Sequence, residues 1–281
     1  ETNQQFARQR AIAKDLLSLY KQESNKIELD FLDPDMAPIK AQEYDIEYPG
    51  TVVFDSGERR EKVTVVSEQR FTSAILKVTQ EEVKKVYFLQ GHKERASDEY
   101  SKDTGLSNAA EALESQNYTV ENLNLATQPE VPEDCDTLII SDPKLPFDQR
   151  EVEAIERHLD SGGKLMVMFD LPKPGSKEDR KLIELIEKWG INVGDDLVIE
   201  GNPAANLYNQ PTIPYVQPNY HQITKGIPSV PFPLVRSVSP NENKSEHIKV
   251  DVLAETTDNS WGETARDEED NKWLLGDGYT E

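Results

Sequence analysis

The run Val86-Tyr87-Phe88-Leu89 is apolar at every position and stops abruptly at Gln90-Gly91-His92. A half-exposed strand alternates between apolar and polar residues. Four successive bulky residues instead predict a strand buried on both faces, as in the middle of a parallel sheet covered by helices. Ligands of open α/β sheets bind beyond the carboxyl ends of the strands. The end of this run therefore places Gly91 and His92 at a rim, and the rest of the chain must supply the flanking strands and covering helices.

It does so in alternation. Gly105–Gln116 puts Leu106, Ala109, Ala110 and Leu113 on one helical face, and Tyr118–Leu123 reads as a second strand. Asp136–Ile140 is a third strand, ending in Ser141-Asp142-Pro143. Gln149–Leu159 is a helix with Ser161-Gly162-Gly163 as its stop, and Lys164–Phe169 is a fourth strand ending in Asp170. Lys177–Trp189 is a further helix, and Ile191–Ile199 is strand-like. Strands and helices at these spacings predict an α/β fold with a mostly parallel sheet and right-handed crossovers. Gly91, His92, Ser141, Asp142 and Asp170 then converge on one carboxyl edge as the candidate ligand-binding residues. The plainer alternative is a polar rim with no ligand, since every such sheet must cap its strand ends with polar residues.

The first 80 residues read differently. Phe6, Ile12, Leu16, Leu17 and Tyr20 form a helical stripe, and Lys26–Leu32 alternates like a strand, with Ile27, Leu29 and Phe31 on one side. Asp33-Pro34-Asp35 is a turn, and a short helix falls within 36–46. Thr51–Phe54 and Lys62–Val66 flank a hairpin turn at Ser56-Gly57-Glu58, and Ser67 caps a helix through Phe71, Ile75, Leu76 and Val78. This order is that of a thioredoxin-like domain truncated by its first strand. Thioredoxin chemistry needs a Cys-x-x-Cys pair with a lowered thiol pKa, and residues 1–80 contain no cysteine.

Beyond residue 200, prolines 203, 211, 214, 218, 228, 231 and 233 crowd short apolar runs. They predict extended, irregular segments packed on the α/β domain, with strands at Phe232–Ser237 and Ile248–Ala254. The tail Glu255–Glu281 holds nine acidic and two basic residues and reads as a partly ordered, solvated extension. The expected division is thus 1–80, 81–200 and 201–281.

Net charge narrows the function. At -22 the chain lacks the basic footprint that nucleic-acid binding needs, and an anionic membrane surface would repel it. Cys135 is the only cysteine, which excludes an intrachain disulfide and a cysteine-based zinc cluster and leaves a small buried hydrophobe. A glutamine amidotransferase needs a nucleophilic Cys on a strand-to-helix elbow, but Cys135 precedes its strand. Ser141 follows a strand but leads into Asp-Pro, which opens a turn. His92, His158, His221 and His247 form no metal-spaced pair, and there is no phosphate loop of the Gly-x-x-x-x-Gly-Lys type. The residues therefore give no enzyme, no cofactor and no metal. Any ATPase must be another chain.

Several phrases occur in a telling order. They are Ile27–Asp35 (IELDFLDPD), Gly50-Thr51-Val52-Val53 with Arg59-Arg60-Glu61-Lys62-Val63, and Ala74–Thr79 (AILKVT). Val86–Glu94 follows, then Leu159-Asp160-Ser161-Gly162-Gly163-Lys164-Leu165 running into Asp170. Over residues 5–260 the chain resembles the extracytoplasmic region of the gliding-motility-type (GldG-like) ABC transporter auxiliary family. The resemblance implies a membrane-anchored, non-catalytic subunit, held by hydrophobic segments absent here and working beside an ABC permease and ATPase. It also implies that the second domain is similar to a flavodoxin-like or class I amidotransferase-like sheet. Two positions depart from the family pattern. A small residue, often Gly, commonly precedes the proline of the third strand end, and Gly commonly follows the histidine; this chain has Asp142 and Lys93 there. Two carboxylates, Asp142 and Asp170, suit a cation or a hydroxyl-rich ligand better than an anion. A solute-binding receptor for a small polar ligand is accordingly the alternative to a scaffold.

Overall fold

The computed structural model describes residues 2–46, 48–80, 82–101, 105–171, 180–267 and 273, with side chains of the first helix from Arg8 onward. The chain groups into two units, residues 1–86 with 107–120 and residues 87–106 with 121–281.

In the first unit, α1 (Thr2–Glu23) buries Ala13 and Leu17 and lays Leu16 and Tyr20 on the same cluster, the three-and-four spacing of one helical face. α2 (Pro38–Glu43) opens on proline, tolerated in the first turn because no intrahelical donor is needed there. β1 (Val52–Ser56) and β2 (Arg59–Val63) pair antiparallel with Ser56 opposite Arg59. Gly57 supplies the positive φ, 68°, that this two-residue turn requires. α3 (Glu68–Thr79) starts at Ser67, whose hydroxyl accepts the Arg70 amide at 3.2 Å. Its Phe71 is fully buried, edge-on to Phe54 with ring centroids 5.2 Å apart. α4 (Ser107–Ser115) also groups with this unit.

The strand expected over Lys26–Leu32 does not form; residues 27–33 have no ladder pairing. The alternation of Ile27, Leu29 and Phe31 is present, and Leu29 packs on the cluster around Phe71. Among the described residues β1 and β2 pair only with each other, so the segment packs its side chains without joining either outer edge of the hairpin. A periodic pattern buries side chains but cannot supply the partner groups a strand's backbone needs.

The larger sheet has four parallel strands, β3 (Lys85–Leu89), β4 (Thr119–Leu123), β5 (Cys135–Ser141) and β6 (Lys164–Met168), in the order β4-β3-β5-β6. β5 and β6 run in register from Thr137 opposite Lys164 to Ser141 opposite Met168. The first strand in sequence thus lies inside the sheet, and the strand order reverses between β3 and β5. All of Val86–Leu89 is buried, as the unbroken apolar run requires. α5 (Gln149–Asp160) and α6 (Arg180–Lys188) bring Ile155, Leu182 and Leu185 against Leu89, Leu138 and Ile140. Each fully buried Leu or Ile in that layer contributes about 1.5–3 kcal/mol. The helix expected from Lys177 begins at Arg180 among the described residues; its first three positions lie outside them.

The remaining strands are short: β7 (Ile191–Val193), β8 (Leu197–Glu200), β9 (Tyr215–Pro218), β10 (Val230–Pro231), β11 (Val238–Pro240), β12 (Ala254–Glu255) and β13 (Ser260–Glu263). They form a small sheet β10-β9-β12 and two pairs, β11-β7 and β13-β8. The strand expected over Phe232–Ser237 does not form, its neighbours Val230-Pro231 and Val238–Pro240 pairing instead, and the one over Ile248–Ala254 shrinks to Ala254-Glu255. Pro228, Pro231 and Pro233 remove ladder donors, so pairing survives only in fragments. Backbone bonds tie these segments down, with Gly194 donating to Ser237 and Val198 to Val235 at 2.8 and 2.9 Å. Part of the acidic tail is ordered as β13. Its positions 268–272 and 274–281 lie outside the described residues.

Glu200, at the end of β8, is completely buried. Its carboxylate accepts the Asn202 amide at 2.8 Å, the Thr257 hydroxyl at 2.9 Å and the Ser260 hydroxyl at 2.8 Å. Burial works to raise its pKa, but the combined hydrogen bonds from Asn202, Ser260 and Thr257 outweigh it and hold the carboxyl below the ordinary glutamate range. This anion fastens β13 to β8. Among the described residues, no helix is long and apolar enough to cross a membrane.

Candidate functional site

The backbone leaves β3 with Gln90 still donating to Leu123 at 2.8 Å. Gly91 follows at φ 127°, and a Cβ there would meet the Asn124 side chain at 3.3 Å. Both the backbone conformation and the close approach favour glycine.

His92 then turns inward and is buried. Its ring stacks on Phe147, with centroids 4.0 Å apart and planes 18° from parallel. Nδ1 lies 3.2 Å from Glu94 and Nε2 3.0 Å from Glu151, so both ring nitrogens are engaged. The hydrogen bond to Glu94 and the charge of Glu151 raise the imidazole pKa against the opposing effect of burial. Glu151 is the third residue of α5 and also accepts the Asp148 amide at 2.8 Å, the reciprocal arm of a capping box. The His92 carbonyl accepts the Lys144 and Leu145 amides at 2.8 and 3.0 Å. One imidazole thus pins the end of β3, the 142–148 loop and the first turn of α5.

Beside it lies a network of four charges. Asp142 sits at φ 53° at the end of β5 and donates its amide to Met168 at 2.7 Å, extending the β5–β6 ladder. Its carboxylate pairs with Lys144 and lies 3.5 Å from Arg95 Nε. Asp170, beyond β6, lies 3.2 Å from Arg95 Nη2 and 3.9 Å from Lys144 Nζ. Ser141 is buried, and its carbonyl accepts the Arg95 amide at 3.0 Å. Gly91, His92, Ser141, Asp142 and Asp170 all cap strand ends on the carboxyl side of the sheet. Asp142 and Asp170 meet through shared cations, whereas His92 turns to its own glutamates. The two aspartates are therefore not an uncompensated anionic pair. Each faces Arg95 and Lys144, and the edge carries both signs of charge. Among the described residues, no three His, Cys, Asp or Glu side chains form a group that would hold a metal ion.

Three residues of this edge escape a sequence reading: Arg95, Lys144 and Glu151. For Glu151 a signal exists, because Asp148-x-x-Glu151 has the spacing of a capping box before an amphipathic helix. Arg95 and Lys144 lie in loops, where charge is unremarkable and only the fold brings them together. The strained backbone at Lys93 and Asp142, φ 60° and 53°, also gives the two family-pattern departures a physical meaning. Glycine at either position would adopt that conformation without penalty.

The opposite edge of the sheet carries a groove of about 360 Å³, lined in part by Glu130, Cys135, Arg157, His158 and Gly163. Burial pushes the Cys135 thiol up to about 11, so it is protonated and unreactive at neutral pH. His158 packs directly over Gly163, and its Nε2 lies 3.3 Å from the Lys164 carbonyl.

No curated protein matches the chain. Among solved structures, one titled "mmIFT52 N-terminal domain" is similar at 21% identity, covering 57% of this chain and 69% of that one with a TM-score of 0.43. A likeness of that size carries no argument about function. The family model described as an ABC-type uncharacterized transport system matches residues 83–275, well over half of the sequence. It begins at the approach to β3 and runs through the charged edge and the proline-rich strands; the phrases between Ile27 and Thr79 lie before it. The chain belongs to this family of auxiliary components of ABC transport systems.

Proposed function

We propose that this chain is the extracytoplasmic part of a non-catalytic auxiliary subunit that scaffolds an ABC permease and ATPase. Family membership over residues 83–275 carries the reading. The character of the sheet edge supports it. His92 has both nitrogens committed to Glu94 and Glu151, and Ser141 is buried, so among the described residues these two do not form a nucleophile–base pair. The division proposed with it is a thioredoxin-like domain without a Cys-x-x-Cys pair over 1–80, a flavodoxin-like domain over 81–200 and an extension over 201–281. The strand order β4-β3-β5-β6 favours the flavodoxin-like assignment. The test is detergent extraction and affinity purification of the full-length protein from its own membrane. Recovery of an ABC ATPase and permease in fixed ratio is expected, and their absence would sink the reading.

A second reading is favoured by one observation, the half-exposed pairing of Arg95 and Asp170 at the topological switch. A small polar ligand carrying both charges could exchange with that pair. Thermal-shift screening with amino acids, peptides, sugars and divalent ions would show a rise in Tm that Asp170→Ala removes. No rise with any of them leaves the scaffold alone.

A further inference from the structure

From Gly201 to Asn241 the sequence contains no Asp or Glu, in a chain that has 53 of them. That acid-free stretch folds into a ribbon. Leu207 donates to Ile213, Leu234 to Thr212 and Phe232 to Pro214, each at 2.9 Å, and Val230 stands opposite Val216 in the β10–β9 pair. The ribbon buries Val216 and half-buries Leu207, Ile213 and Tyr215, but its second strand turns large apolar side chains to water. Val230, Phe232 and Leu234 recur at every second position and are all exposed, and Ile223 and Tyr220 project from the turn beyond, at 66% and fully exposed. Leu234 is also held at φ 52°, a left-handed conformation unfavourable for a branched residue, with 52% of its surface in water. Neither burial nor backbone preference explains that placement. Lys225 is the one exposed charge of the acid-free stretch, since Arg236 is buried.

The charge pattern selects the occupant. The centre is neutral, and on the adjoining strand β12 the exposed Glu255 stands opposite Gln217, with Asp258 exposed three residues on. An apolar centre with an acidic rim is matched by an apolar patch with a Lys- or Arg-bearing rim. A second copy of this chain would bring another charge of -22 against the first. An anionic bilayer would be repelled in the same way. We propose that the ribbon formed by 207–216 and 228–234 is the face on which another protein subunit of the transport system docks, through an apolar patch bordered by basic residues. The proposal rests on the scaffold reading above and names its surface.

The test uses the full-length protein in its own membrane with a photo-crosslinking benzoylphenylalanine at position 232, and at position 36 as a control, since Met36 is 83% exposed on the other unit. Irradiation is expected to yield an adduct with a permease subunit from position 232 and none from position 36. Phe232→Glu combined with Leu234→Glu should lower co-purification of the ABC subunits at least tenfold while leaving the circular dichroism spectrum unchanged. An adduct with a second copy, an adduct with lipid, or no adduct overturns the proposal. The crosslinking arm decides the matter even if the double substitution unfolds the ribbon. If the wild type does not co-purify with ABC subunits, the scaffold reading itself has failed. If it does, and the glutamates change nothing, only the ribbon is refuted.

Discussion

His92 Nε2 lies 3.0 Å from the carboxylate of Glu151, a contact that joins the end of the central strand to the first turn of α5. Because Glu94 and Glu151 raise its folded pKa, the imidazolium stabilises the native state. That contribution is fully present below the unfolded histidine value of about 6.5 and is lost as pH rises through the raised folded value. Urea unfolding of the wild type should therefore show stability falling across that window. His92→Gln should flatten the dependence and lower stability by roughly 3 kcal/mol at about pH 6, the effect of removing one partner from a buried pair. An unchanged pH slope in the variant would refute the assignment.

Glu200 has the opposite sign. Its lowered folded pKa gives stability that is present above the ordinary glutamate value and disappears as pH falls through the folded one. Trp261 stands opposite Ile199 in the β13–β8 pair, so its fluorescence reports whether that strand is seated. Acid titration should release the Trp261 signal below about pH 4 in the wild type. Glu200→Gln should show a displaced signal already at neutral pH, because an amide cannot accept the same set of donors, with a loss of about 1–3 kcal/mol.

Two left-handed residues on the same edge should respond differently to glycine. Lys93→Gly removes a strained backbone position, φ 60°, whose side chain is exposed, and should raise stability by roughly 1 kcal/mol. Asp142→Gly relieves similar strain but takes the carboxylate from between Arg95 and Lys144, leaving two neighbouring cations with less compensation. It should gain less than Lys93→Gly or lose stability outright. Equal gains at both positions, measured by chemical denaturation, would mean that the four-charge network contributes nothing.

Gly163 is defined by its neighbour. A Cβ there would lie 2.2 Å from His158 Cε1, far inside van der Waals contact. Gly163→Ala should cost about 1–3 kcal/mol through overpacking. His158→Ala in the same chain should recover most of that loss, giving a coupling that a double-mutant cycle reads directly. No coupling between the two positions would show that the imidazole moves aside freely.

The alternation of apolar strands and amphipathic helices from Val86 onward was enough to give the α/β class, because burial period is a local property of the sequence. Val86–Leu89 lies inside the sheet, and Ser67 and Gly162 bound helices as their residue types imply. Local pattern fell short wherever backbone pairing mattered. Ile27, Leu29 and Phe31 alternate without joining a ladder, and the strand expected over Phe232–Ser237 gives way to short pairings on either side of it.

For the candidate edge, the chain order alone placed Gly91, His92, Ser141, Asp142 and Asp170 at strand ends. What those side chains face depended on loops whose course no periodicity encodes. Glu94 and Glu151 reach His92 across 59 residues of sequence at most, and Arg95 meets Asp170 across 75. The sequence by itself determined the alternation of strands and helices, the net charge and the acid-free stretch from 201 to 241. Only the tertiary structure decided that the two aspartates share cations, that the histidine is a pin, and that the acid-free stretch shows Val230, Phe232 and Leu234 to solvent. Each of these depends on distances between segments far apart in the chain.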